Sequence, residues 1–204
     1  SADVQASRWK SSEETTHCSI VDAEGNAVSV TTTLNDSYGS RVVVSGAGFI
    51  LNNEMDDFSA KPGAPSLYGA IGGKANAVAG NKRPLSSMTP TIVVRDGQLG
   101  LVVGTPGGTN IPTSVFQVLL NVYEFGLPLR EAVHRKRFHH QWLPDAIQIE
   151  EGALSEDVQE KLQAMGHTIR VRTPIGRVEA ILREPDGRLR AVADDRGDDA
   201  AGGY

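Results

Sequence analysis

Thr15–Asn35 reads TTHCSIVDAEGNAVSVTTTLN, and the rest of the chain is interpreted outward from it. Two alternating runs flank Ala23-Glu24-Gly25, the pattern of a β-hairpin with Gly25 in the left-handed position of a three-residue loop. Such a loop sets the register, so that paired residue numbers sum to about 48. Ile20 then faces Val28 and Cys18 faces Val30, which makes one face apolar. Thr15, His17, Ser19, Ser29, Thr31 and Thr33 make up the other. Thr15 falls opposite Thr33, with Asn35 nearby. Threonine is a good strand residue, so a hydroxyl-rich face by itself specifies no chemistry. Cys18, the single cysteine, excludes an internal disulfide, and its apolar face predicts a packed thiol rather than a nucleophile.

Composition narrows the class. With 204 residues, 39% of them hydrophobic and 22% charged, the chain is long enough for one domain with a sizeable core. A net charge of −5 argues against nucleic-acid binding. No apolar run approaches the ~18 residues of a membrane span. The opening SADVQASRWKSSEE is polar, has no apolar signal core and no initiator Met, so the chain reads as a segment of a longer one. His17, His134, His139, His140 and His167 lack the spacing of metal ligands, and packed or surface roles are expected for them. Neither a metal nor a cofactor is implied.

Downstream, 36–50 reads as a loop feeding a short strand. Residues 51–90 show little periodicity and crowd polar and turn residues, as a site-building loop does. A second hairpin follows: Thr91–Arg95, a turn at Asp96-Gly97-Gln98, then Leu99–Val103. Its near-continuous apolar strands predict burial on both faces. Gly104–Asn110 leads into a helix over 113–126, capped by Thr109 or Asn110 and stopped by Gly126. Further helices are expected from Leu129 to about Arg137 and over Leu154–Met165, the latter with Ser155 as N-cap and Gly166 as stop. Strands are expected over 168–172, 177–183 and 189–193. The mix predicts an α+β or layered-sandwich fold.

No GxSxG elbow is present. A threonine nucleophile is the alternative. Its hydroxyl is weak unless a base takes the proton, and cutting the chain just before it frees its own α-amine, of pKa ~7.7–8.0, for that task. This chemistry needs the threonine at the start of a strand, exposed at a sheet edge, and that placement is expected for Thr15. Pro106-Gly107-Gly108 ahead of a helix offers backbone N–H groups for an oxyanion. Read bare, the same residues are a turn.

The ordered set TTHCSIVDAEGNAVSVTTTLN, LNNEMDDFS, NKRPLSSMTPTIV, GTPGGTN, RFHHQWLPD and a final GGY resembles the small subunit of the gamma-glutamyltranspeptidase family of N-terminal-nucleophile hydrolases. The resemblance runs from about Glu14 to Tyr204. It implies the small-subunit part of a four-layer αββα sandwich. It also implies a precursor that cuts itself between Glu14 and Thr15. Residues 1–14 would end the large subunit, or link to it, and 15–204 would be the small-subunit catalytic domain. Thr15 would be processing residue and nucleophile, and Thr33 would orient it. Asn35 and Glu54 would hold the substrate α-amino group, with Asp57 pairing its charge. Ser86 and Ser87 would bind the α-carboxylate, and Gly107 and Gly108 would form the oxyanion hole. Tyr68, in KPGAPSLYG, matches the family's lid loop, whereas Arg137 is expected to be structural. The implied activity is hydrolysis of glutathione or other γ-glutamyl amides, or γ-glutamyl transfer to amino-acid or peptide acceptors. The implied partner is the large subunit of the same precursor, in a periplasmic or extracellular heterodimer. Two other readings are a cephalosporin- or glutaryl-type acylase and a catalytically silent, unprocessed fragment.

Overall fold

The computed structural model describes residues 15–172 and 174–204. Residues 1–14, and with them the Glu14 side of the expected cleavage point, lie outside the described residues. The first hairpin forms as expected. Strands β1 (Thr16–Val21) and β2 (Ala27–Thr32) pair antiparallel, with Cys18 opposite Val30 and Ile20 opposite Val28. Gly25 closes the loop at φ 86°, its N–H donating to the Asp22 carbonyl at 3.1 Å.

After the short antiparallel pair β3 (Val43–Val44) and β4 (Phe49–Ile50), the second hairpin is β5 (Thr91–Arg95) and β6 (Gln98–Gly104). Its turn is shorter than expected. Asp96 and Gly97 alone close it, both at positive φ, the two-residue form that matches strand twist. The pairing shifts by one between Val93↔Leu101 and Val94↔Leu99, which leaves Gly100 as a bulge. With β10 (Glu179–Arg183) and β11 (Leu189–Val192) the hairpin makes an antiparallel sheet of order β11-β10-β6-β5. Central β6 is covered on both faces, as its apolar run predicts. Edge strand β5 is not, and Val94 is 63% exposed.

One face of this sheet carries the helices. α1 (Ile111–Tyr123) starts two residues before the expected Thr113, with Pro112 in its first turn, where a missing N–H costs nothing. Gly126, at φ 63°, turns the chain away after it. α2 (Leu129–His134) ends three residues short of Arg137, because the backbone at Arg135 is extended. The core between them is Leu101, Val103, Val115, Val118, Leu129, Val133, Val178 and Ala180. Each fully buried Val or Leu there contributes about 1.5–3 kcal/mol. A smaller sheet of β7 (Phe138–His139), β8 (Ile147–Ile149) and β9 (Ile169–Val171) lies beyond, the last two parallel. β9 falls inside the expected 168–172, whereas β7 and β8, two and three residues long, show no usable alternation and were not legible. α3 (Glu156–Ala164) follows Ser155 and precedes Gly166, as expected.

The first hairpin packs on the sheet's other face, giving helix, sheet and hairpin layers in the α+β manner expected. Its orientation reverses the simple reading of its alternation. The hydroxyl-bearing face points inward: Ser29 Oγ donates to the Val103 carbonyl at 3.1 Å and Ser19 Oγ to that of Glu179 at 3.4 Å. His17 is buried where Gly104, lacking a side chain, leaves room for the ring. The apolar face points out, with Ile20, Val28 and Val30 at 52%, 48% and 44% exposure. Cys18 is therefore exposed, not packed.

Candidate active site

Thr15 sits one residue before β1, at the strand start as expected but buried at the hairpin mouth instead of exposed at a sheet edge, because its hydroxyl faces inward. Its Oγ donates to Thr33 Oγ at 3.2 Å. Thr33 Oγ also accepts the Asn35 N–H at 2.9 Å. Asn35 stands at φ 76°, a left-handed position that asparagine tolerates, and reverses the chain after β2. Its side-chain amide reaches the Asn53 carbonyl at 3.3 Å, and Asn53 Oδ1 accepts the Asp36 N–H at 2.9 Å. These bonds hold the next loop against the hairpin. His17 turns elsewhere: its ring nitrogens meet Thr31 Oγ at 2.7 Å and Ser19 Oγ at 3.0 Å. Burial lowers its pKa to about 4, so it is neutral and weakly basic.

A single 3₁₀ turn, Glu54–Asp57, follows directly. Side chains three apart eclipse on such a turn, which brings Glu54 and Asp57 together. Burial raises the Glu54 pKa to about 7, helped by its hydrogen bond to Asp57 and that residue's charge. Burial raises Asp57 too, against the effect of the Glu54 hydrogen bond. Two adjacent carboxyls that share a proton near neutrality form a site short of a cation.

Asp57, Tyr68, Ser87 and Thr109 line one cavity of about 160 Å³. The Tyr68 hydroxyl donates to the Asn35 carbonyl, so this loop is tied to the hairpin mouth. Ser86 is exposed, and its Oγ accepts the Met88 N–H at 3.2 Å. Gly107 and Gly108 adopt φ 140° and 59°, then the chain enters the turn that starts α1. A Cβ on Gly108 would stand 3.3 Å from Tyr68 Cδ1, so the ring lies against that glycine.

The glycine turn is backed by a buried ionic network. Arg137 pairs with Asp194 at 2.7 Å and donates to the Ile175 carbonyl at 2.9 Å. Glu150 accepts the Arg137 and Ile175 N–H groups at 2.8 and 3.0 Å and pairs with Arg196 at 2.6 Å. Burial opposes the Asp194 charge, but Arg137, the Val178 N–H and Arg196 still hold its carboxyl below the usual range. Gly176, next along, packs against Gly107. Arg137 is structural, as expected.

Comparison with known proteins decides the family. The gamma-glutamyltranspeptidase family model matches residues 1–204. The chain belongs to the gamma-glutamyltranspeptidase family. It is 50% identical over 194 residues to the glutathione hydrolase proenzyme of Escherichia coli (strain K12), covering 95% of this chain and 33% of that protein. It thus spans about a third of the length of that curated relative. The gamma-glutamyltranspeptidase from Pseudomonas nitroreducens complexed with L-DON superposes with a TM-score of 0.86 at 51% identity, over 93% of this chain and 99% of that one. A cephalosporin acylase from Bacillus halodurans shares the fold at a TM-score of 0.75 and 27% identity, over 92% of this chain and 34% of that one. The α+β fold is that of the N-terminal-nucleophile hydrolases.

Against the gamma-glutamyltranspeptidase pattern, the structure brings Thr15, Thr33 and Asn35 into contact. It gathers Asp57, Tyr68 and Ser87 around one cavity. Glu54 joins them through Asp57, and Gly108 through the Tyr68 ring. Ser86 stays outside the cavity lining. Behind Tyr68 lie Gln141, which sequence reasoning passed over, and His139, for which it expected no more than a packed or surface role. Their only signal was the polar run HHQ inside RFHHQWLPD.

Proposed function

We propose that this chain is the small-subunit part, 15–204, of a self-processing γ-glutamyl transferase and hydrolase. Residues 1–14 end the large subunit or link to it. The observation that carries the reading is the Thr15 Oγ bond to Thr33 Oγ at a strand start, beside the Glu54–Asp57 carboxyl pair. Processing comes first. Thr15 Oγ attacks the Glu14 carbonyl, the acyl group shifts from N to O and so frees the Thr15 amine, and water then cleaves the ester, restoring the Thr15 hydroxyl and leaving Glu14 with a carboxylate. That amine then takes the Oγ proton as Thr15 attacks the γ-carbonyl of glutathione or a similar amide. Thr33 aims the hydroxyl. The Gly107 and Gly108 N–H groups stabilise the oxyanion. The leaving amine departs with the proton, and a γ-glutamyl ester remains on Thr15. Water releases glutamate, or an amino-acid or peptide amine takes the γ-glutamyl group.

Asn35, Glu54 and Asp57 hold the substrate ammonium, for which two carboxylates are a natural partner. Ser86 and Ser87 bind the α-carboxylate, and Tyr68 belongs to the lid. The large subunit covers the outward apolar face of the first hairpin and supplies an arginine. The heterodimer works outside the cytoplasm. A glutaryl-type acylase reading fares worse, because a glutaryl group has no ammonium to pair with Glu54 and Asp57. A chain still joined at Glu14–Thr15 has no free amine on Thr15 and is silent.

The test uses the full-length precursor. Intact mass is expected to show a split between Glu14 and Thr15 in the wild type and none in Thr15→Ala. The processed protein should turn over γ-glutamyl-p-nitroanilide in preference to a glutaryl amide. A precursor that never splits, or one that prefers the glutaryl amide, would sink the proposal.

A further inference from the structure

Behind the cavity, one side chain makes four hydrogen bonds that the roles above leave unused. Gln141 lies in the loop after β7. Its amide stands 2.7 Å from Thr109 Oγ, 2.9 Å from His139 Nε2, 3.1 Å from the Leu143 carbonyl and 3.4 Å from the Tyr68 carbonyl. Carbonyls only accept, so the amide nitrogen must face Leu143 and Tyr68. Oε1 then accepts from Thr109 and His139. This fixes the His139 tautomer: Nε2 carries the proton, and Nδ1 accepts the Thr113 hydroxyl at 2.7 Å. His139 is 2% exposed, and burial lowers its pKa, in keeping with a single ring proton. Every donor and acceptor of the Gln141 amide is matched, which makes its orientation unique. The next residue, Trp142, is held at φ 71°, a conformation a bulky side chain keeps only when its surroundings dictate it.

The two ends of this junction are the two halves of the site. Thr109 directly follows Gly108. The Tyr68 ring lies against Gly108, and its hydroxyl reaches Asn35. We propose that Gln141 is a positioning residue that sets the spacing between the Tyr68 loop and the Gly107–Gly108 turn. This rests on the reading above, in which Tyr68 covers the γ-glutamyl group and the glycines receive its oxyanion. Gln141 itself does not touch the reacting atoms. It holds two loops, distant in sequence, at one separation.

The full-length processed protein carries the test, with Gln141→Glu and Gln141→Leu. Glutamate keeps the shape and the accepting oxygen, but an ionised carboxylate cannot donate to Tyr68 or Leu143. At pH 8 the KM for γ-glutamyl-p-nitroanilide should rise roughly tenfold in Gln141→Glu, with a smaller change in kcat. Amide exchange should quicken across 61–72. At pH 5.5 a protonated glutamate regains a donor, so its KM relative to wild type should fall back towards unity. Gln141→Leu should show no such recovery. A side chain that merely fills space predicts no pH-dependent rescue. Unchanged KM and exchange in Gln141→Glu would overturn the inference, as would equal recovery in the leucine variant. If the leucine variant does not accumulate as folded protein, the ratio of the glutamate variant's KM to that of the wild type at the two pH values decides. Wild-type protein without γ-glutamyl turnover would retire the functional reading instead, and the exchange measurement would still judge Gln141.

Discussion

At the scale of single residues, the site depends on groups held in unusual states by their neighbours. Thr15 points its hydroxyl at Thr33, and neutral His17 stands apart with its nitrogens engaged by Thr31 and Ser19. Glu54 is the clearest case. Burial and Asp57 keep its proton to about pH 7. In the proposed role a substrate ammonium binds the ionised pair, so binding expels that proton, and affinity is expected to fall as pH drops below about 7. The inhibition constant of L-glutamate against the processed enzyme is expected to weaken by up to ~10-fold per pH unit there. Glu54→Gln should flatten this profile while binding more weakly above pH 7. A profile in the wild type that is flat from pH 5 to 8 would rule out the shared proton.

At the scale of elements, the hairpin and the four-stranded sheet meet through hydroxyls, carbonyls and one imidazole instead of an aliphatic seam. Gly104 makes that possible, because a Cβ there would run into the His17 ring. Gly104→Ala must lift the hairpin or displace His17, and overpacking of this kind costs about 1–3 kcal/mol. Calorimetry of the full-length protein should show a lower Tm for Gly104→Ala. In His17→Ala the same substitution should cost much less, since partners in contact couple. Additive losses would mean that the ring and the glycine do not constrain each other.

At the scale of the whole molecule, the described chain leaves apolar side chains uncovered. Ile20, Val28 and Val30 face outward, and edge strand β5 exposes Ile92 and Val94. The outward hairpin face, with three large apolar side chains on two paired strands, has the character of an interface. The 204-residue chain expressed alone is expected to self-associate in sedimentation experiments. Ile20→Lys with Val28→Lys should reduce that association. A wild-type chain that stays monomeric at micromolar concentration would show that this face needs no cover.

Much of this protein was determined by local patterning in the sequence. Alternation and the placement of Gly25 set the first register, and with it the Thr15–Thr33 pair, because hairpin geometry is decided by a few adjacent residues. The α+β class, the helix stops at Gly126 and Gly166, and the glycine turn before α1 were legible for the same reason. What only the tertiary structure decided were matters of environment. Alternation defines two faces but not which one another layer will cover, so the hydroxyl face turned inward and Cys18 outward. The Glu54–Asp57 proton and the Arg137–Asp194–Arg196–Glu150 network depend on desolvation by distant segments. Gln141 acquires its meaning from carbonyls and hydroxyls as far as 73 residues away, and no local pattern encodes that meeting.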